Sequence, residues 1–157
     1  FQMGAKQGSG EGIKLVSDNR QAGHNYFLLD RFEAGLVLTG TEVKAAKGGK
    51  VQLREAWATV EKGEAWLQNA HIQEYDHGNR FNHAPVRPRK LLLHKREIAK
   101  LEAELRQKGS TCLASRLYFR GARVKVELLV GTGKKLHDKR DSLKERDAKR
   151  EMARAKR

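Results

Sequence analysis

The sequence predicts a mainly β fold with short helices: a small antiparallel β-barrel of about six strands, flanking helices and a disordered basic tail. Three observations lead there. Two pairs of strand-like runs, AWATVEK with EAWLQNAHIQEY and CLASRLYFR with ARVKVELLV, each meet at a glycine. One stretch, KREIAKLEAELRQKG, carries apolar residues at helical spacing. Roughly 120 ordered residues are too few to cover the edges of an open sheet, and closure removes those edges.

The elements follow in order. Residues 1–12 are rich in Gly, Lys and Gln and are expected to be disordered; Phe1 and Gln2, ahead of Met3, read as a processing remnant. Ile13–Val16 is a short strand. Ser17, Asp18 and Asn19 then open a turn or a single helical turn. NYFLLDRFEAGLVLTG reads as extended chain with a break near Ala34 and Gly35. TGTEVKAAKGG is a short helix, capped by Thr39 or Thr41 and stopped by Gly48 and Gly49.

The first strand pair turns at Lys62 and Gly63, with Trp57, Thr59 and Glu61 on one face and Ala58 and Val60 on the other. GNRFNHAPVRPRK is a polar loop, because Pro85 and Pro88 forbid a helix there. Its basic side chains, Arg87, Arg89 and Lys90, should project from an extended segment and suit a phosphate backbone. Leu91 to Leu93 form an apolar run expected to be buried. Ile98, Leu101 and Leu105 make the apolar face of the main helix, which Gly109 should end. In the second pair, across Gly121, Val124, Val126 and Leu128 oppose Arg123, Lys125 and Glu127. The division is then 1–12, a β-barrel domain at 13–130 and a tail at 131–157.

Charge decides the functional class. The net charge is +14 and the pI about 10.2, the footprint of a polyanion binder. Residues 131–157 hold eleven Lys and Arg against five Asp and Glu, with Leu136, Leu143 and Met152 the only large apolar side chains. So little apolar surface does not offset the entropy of ordering the segment. The body therefore carries +8 of its own. Arg146, Arg150 and Arg154 are four apart, so a helical tail would present one cationic stripe that phosphates stabilise.

No apolar run is long enough to span a bilayer, and no signal peptide is visible. The single Cys112 excludes an internal disulfide and fits a reducing cytoplasm; it reads as a small core residue. The six histidines form no metal-ligand spacing, and no cofactor motif is present. His77 and His83, in one loop, leave an RNA-processing enzyme as a weaker reading. Glu33, a carboxylate between apolar stretches of a basic chain, either fixes a neighbouring cation or accepts from a base edge or ribose hydroxyl.

Three segments in one order, EAGLVLTGTEVKAAKGGKVQL from Glu33, NHAPVRPRKLLLHKREIAKL from Asn82 and GTGKKLHDKRDSLKERDAKRE from Gly131, resemble the small protein B family, the bacterial tmRNA-binding proteins of trans-translation. The resemblance runs from about Ile13 to the C-terminus. Ala84, Ala45, Ala46 and Thr132 depart from the family pattern, and Thr132 stands where a Lys is usual. The resemblance implies an oligonucleotide-binding-like barrel and a non-enzymatic adaptor, cytoplasmic, without cofactor or small-molecule substrate. It implies that Asn19, Arg20, His24, Glu33, Arg89, Lys90, Leu92, His94, Lys125, Lys134 and Lys135 hold the tRNA-like domain of tmRNA. It implies that His137, Lys139, Arg140, Arg146, Arg150 and Arg154 contact the small-subunit decoding centre and the vacant mRNA channel of a stalled ribosome. Elongation factor Tu and alanyl-tRNA synthetase would be indirect partners. The alternative is a basic ribosomal or rRNA-assembly protein, which would bind ribosomes at all times without preferring a tRNA-like fold.

Overall fold

The computed structural model describes residues 12–24, 26–77 and 82–133. Among them are nine strands and two α-helices: β1 (Ile13–Asp18), β2 (Tyr26–Leu36), α1 (Gly40–Lys47), β3 (Val51–Gln52), β4 (Trp57–Glu61), β5 (Glu64–Gln68), β6 (His71–Ile72), β7 (Arg89–Leu92), α2 (Lys95–Leu105), β8 (Ser110–Arg120) and β9 (Arg123–Gly133). A single 3-10 turn, Arg20–Gly23, follows β1. The order β8-β4-β5-β7-β2-β9 closes on itself through the β8–β9 pairing, so six antiparallel strands form a ring. Strand β1 adds to β8 outside the ring, and β3 pairs with β6 as a separate ribbon.

Alternation fixes which face turns inward. Val124, Val126, Leu128 and Val130 of β9 are buried with Phe32, Ala34 and Leu36 of β2. Lys62 and Gly63 both take positive φ, the backbone that a two-residue hairpin requires. Leu101 of α2 is fully buried, with Ile98 and Leu105 packed on the same core. Cys112 is fully buried, and loss of hydration there pushes its thiol up to about 12.

Several expectations need correction. Strand β2 does not break at Ala34 and Gly35. It runs on to Leu36, and its irregularity is a bulge between Leu28 and Asp30. Of Leu91 to Leu93, Leu91 is buried while Leu92 is 54% exposed, because β7 is a strand and its side chains alternate. The run EAWLQNAHIQEY is two strands, split where Asn69 takes positive φ. Helix α2 ends at Leu105, and Gly109, at φ 79, turns the chain into β8 instead. Strand β9 continues to Gly133, three residues past the expected domain boundary. Helix α1 begins as expected, with the Thr39 backbone N–H donating to Glu42 Oε1 at 2.8 Å.

Candidate nucleic-acid interface

The outer face of β2 and its neighbours gathers predicted residues from three strands, β2, β7 and β9. Gly35 is the hub. It pairs with Lys125 of β9 on one side and with Leu92 of β7 on the other. A Cβ at position 35 would sit 3.2 Å from the Leu92 Cβ, so glycine lets these strands crowd together. Glu33 lies two residues back on the same face. An acid, an exposed apolar side chain and a lysine thus meet on one surface.

Glu33 is held, yet not hidden. Tyr118 Oη and Arg120 Nη2 (3.0 Å) both donate to its Oε2, and its side chain is 41% exposed. Burial, and then the bond to Glu33, push the Tyr118 phenol up to about 12, so it stays a donor. Glu127, opposite Glu33 on β9, accepts from Arg116 Nη2 at 2.7 Å and Ser115 Oγ at 2.8 Å. Its burial opposes ionisation, but those donors prevail and hold its carboxyl below the ordinary range. Each of the facing carboxylates therefore has its own arginine from β8. Both readings of Glu33 are compatible here: a fixed ion pair that still presents acceptor surface to a ligand.

The first-loop residues sit at the other end of β2. From Tyr26 to Gly35 the strand covers about 30 Å. Asn19 turns inward. Its Nδ2 lies 3.2 Å from the Leu53 carbonyl and 3.4 Å from those of Arg54 and Ala114, and its N–H donates to Ser115 at 2.6 Å. It clasps β1 to β8 and to the chain before β4. Arg20, 89% exposed, and His24 stand in solvent.

Arg89 contradicts its expected outward placement. Its side chain has no exposed surface. Its Nε donates to Glu42 Oε2 at 2.6 Å, and its Nη atoms donate to the carbonyls of Ala70 (2.7 Å) and Pro85 (3.0 Å). Glu42 is equally buried and also accepts from Arg87 Nε at 3.0 Å. Burial opposes the Glu42 charge, yet Arg87, the Thr39 N–H and Arg89 together hold its carboxyl below the ordinary range. The reason for the correction is the alternation of β7: Arg89 shares its face with Leu91. Lys90 points out, 3.3 Å from Glu64, beside exposed Leu92. His94, also exposed, caps α2, its backbone N–H donating to Glu97 at 3.0 Å.

His83 is buried between Thr41 Oγ1 and the Ile72 carbonyl, both at 2.9 Å. The carbonyl can only accept, so Nε2 carries a proton and donates to it. The paired-histidine enzyme reading loses one member to the scaffold; exposed His77 packs edge-on against Tyr75. Among the described residues no cluster of His, Cys, Asp and Glu is suited to a metal ion. No described helix is long and apolar enough to cross a membrane. Lys134, Lys135, His137, Lys139, Arg140, Arg146, Arg150 and Arg154 lie outside the described residues.

Sequence reasoning missed Tyr118, Arg120 and Arg116, whose role depends on the β8–β9 register, and Glu42, which a helical pattern presents as one more surface acid. Its place three residues after Thr39 signals a capping box, but not the buried arginine.

Comparison with known proteins gives the family. The SmpB protein family model matches residues 16–157. The SsrA-binding protein of Desulforudis audaxviator is 53% identical over 142 residues, 90% of this chain and 93% of that protein. That of Thermobifida fusca is 53% identical over 150 residues, 96% and 94% of the two chains. A solved structure described as "tmRNA-SmpB: a journey to the center of the bacterial ribosome" is 42% identical, with a TM-score of 0.64 over 76% of this chain and 84% of the other. This chain belongs to the SmpB protein family.

Proposed function

We propose that this chain is a cytoplasmic, non-catalytic adaptor that binds the tRNA-like domain of tmRNA and brings it to stalled ribosomes. The observation that carries the reading is the family match across residues 16–157, which takes in both the folded body and the basic C-terminal segment. The names of the relatives support an SsrA RNA as ligand. On the body, the surface around Gly35 and the first loop would grip the RNA about 30 Å apart. Arg20, His24, Lys90, His94 and Lys125 would meet phosphate and sugar, Leu92 an apolar edge, and Glu33 a base or ribose donor. Arg89 and Asn19 hold the scaffold beneath that surface.

The segment from Lys134 onward, through His137, Lys139, Arg140, Arg146, Arg150 and Arg154, would occupy the decoding centre and the empty mRNA channel. Ordering it costs about 1–2 kcal/mol per residue in backbone entropy. Many phosphate contacts offset that cost, and a channel filled with message denies them. Discrimination of stalled ribosomes follows. Aminoacylation of tmRNA belongs to alanyl-tRNA synthetase, delivery to elongation factor Tu, and peptidyl transfer to the ribosome. Ending the chain after Gly133 tests the division of labour: tmRNA affinity by gel shift should stay near that of the full chain, while peptide tagging on stalled ribosomes is lost. Equal loss of both would refute it.

A further inference from the structure

A concavity of about 1050 Å³ lies where the first loop overhangs the starts of β4 and β8. Its wall holds two aromatic rings, Trp57 and Tyr26, and two arginines, Arg20 and Arg54. Trp57 is 40% exposed on the outer face of β4, while its neighbour Ala58 is buried. Arg20 comes no closer than 3.7 Å to its carboxylate neighbour Asp18, too far for a hydrogen bond. The Asn19 clasp fixes the loop to β8 and to residues 53–54, so the wall is formed before any ligand arrives.

We propose that Trp57 is a stacking platform for one unpaired nucleobase of the bound RNA, with Arg20 and Arg54 taking the phosphates that flank it. The inference rests on the RNA-binding reading above and adds a contact which that reading does not contain. The indole is 40% exposed and lines the concavity, and every base has a π-face able to stack on it. The carboxylates of Asp18 and Glu55 share the same rim. They would repel a phosphate at the centre of the concavity but not a neutral base, so the base enters and the backbone passes over the arginines. A fully paired helix keeps its bases stacked and has none to offer, so the ligand is an unpaired nucleotide in a loop or junction.

The chain has two tryptophans. In the full chain, Trp66→Phe leaves Trp57 as the sole indole, and this variant is titrated with the transcribed tRNA-like domain. Emission should be quenched in step with the binding curve measured by gel shift. Trp57→Ala should weaken binding about ten-fold without altering its salt dependence, because stacking releases no counterions. Arg20→Ala and Arg54→Ala should each lower the salt slope by about one. Trp57→Phe should keep most of the affinity, whereas Trp57→Leu, apolar but without a π-face, should behave as the alanine variant does; circular dichroism checks that both fold. Binding with unchanged emission, or equal affinity of the leucine and phenylalanine variants, would overturn the stacking site and leave the RNA-binding reading standing. A flat gel shift for every protein would sink that reading itself.

Discussion

Arg89→Ala separates scaffold from surface. The substitution removes a guanidinium that has no exposed area and leaves Glu42, equally buried, with Arg87 as its remaining cation. It also takes donors away from the carbonyls of Ala70 and Pro85, at 2.7 and 3.0 Å. Breaking a buried ion pair from one side costs about 3–5 kcal/mol. Each stranded carbonyl adds on the order of 1 kcal/mol unless water reaches it. Domains commonly have about 5–15 kcal/mol in total, so the loss is a large fraction. At about 3–5 °C per kcal/mol for a body of this size, Tm should fall by about 15–35 °C, read by circular dichroism. Glu42→Leu with Arg89→Met leaves no buried charge unpaired from this couple and should recover much of the loss. Gel shifts at 10 °C, where the alanine variant is still folded, should give tmRNA affinity within about three-fold of the parent, since the removed group never reached the surface. An unchanged Tm together with a ten-fold loss of affinity would refute the buried assignment.

Three further outcomes are expected. Gly131→Ala should destabilise the chain by about 1–3 kcal/mol in urea titration, because a Cβ there would lie 2.7 Å from the Phe27 carbonyl oxygen, a backbone atom that cannot step aside; an unchanged midpoint would contradict the β2–β9 register. Glu104→Gln should raise Tm at pH 8, with the gain closing as pH falls through 7 toward 4.5. Burial and then the neighbouring Asp30 push the Glu104 carboxyl up to about 7, so its stabilising protonated form is lost as pH rises through that value. Glu33→Gln should weaken tmRNA binding several-fold in gel shifts while circular dichroism stays unchanged; unfolding would show that the Tyr118 and Arg120 bonds serve only the fold.

Much of the fold was legible because its signals are local. Period-two alternation in Arg123–Val130 marks one buried face of β9, and a 3.6-residue spacing of Ile98, Leu101 and Leu105 marks α2. Glycines at 63 and 121 mark the hairpins, where φ is positive. The site was legible in part. Glu33, Lys125 and Leu92 stood out by motif and residue type, and they do share a surface. Arg89 went astray because a basic residue beside prolines looks the same whether it projects or inserts.

The sequence by itself determined the strand and helix pattern, the cationic character of body and tail, and the family, since each is written in spacing or composition along the chain. Tertiary structure alone decided that Gly35 joins Leu92 to Lys125, that Glu33 meets Tyr118 and Arg120, and that Arg89 pairs with Glu42 in the interior. Those pairings depend on register between residues 47 to 90 positions apart. A one-residue slip in a strand exchanges its inner and outer faces, and nothing in the local sequence around Arg89 records which face closes on Glu42.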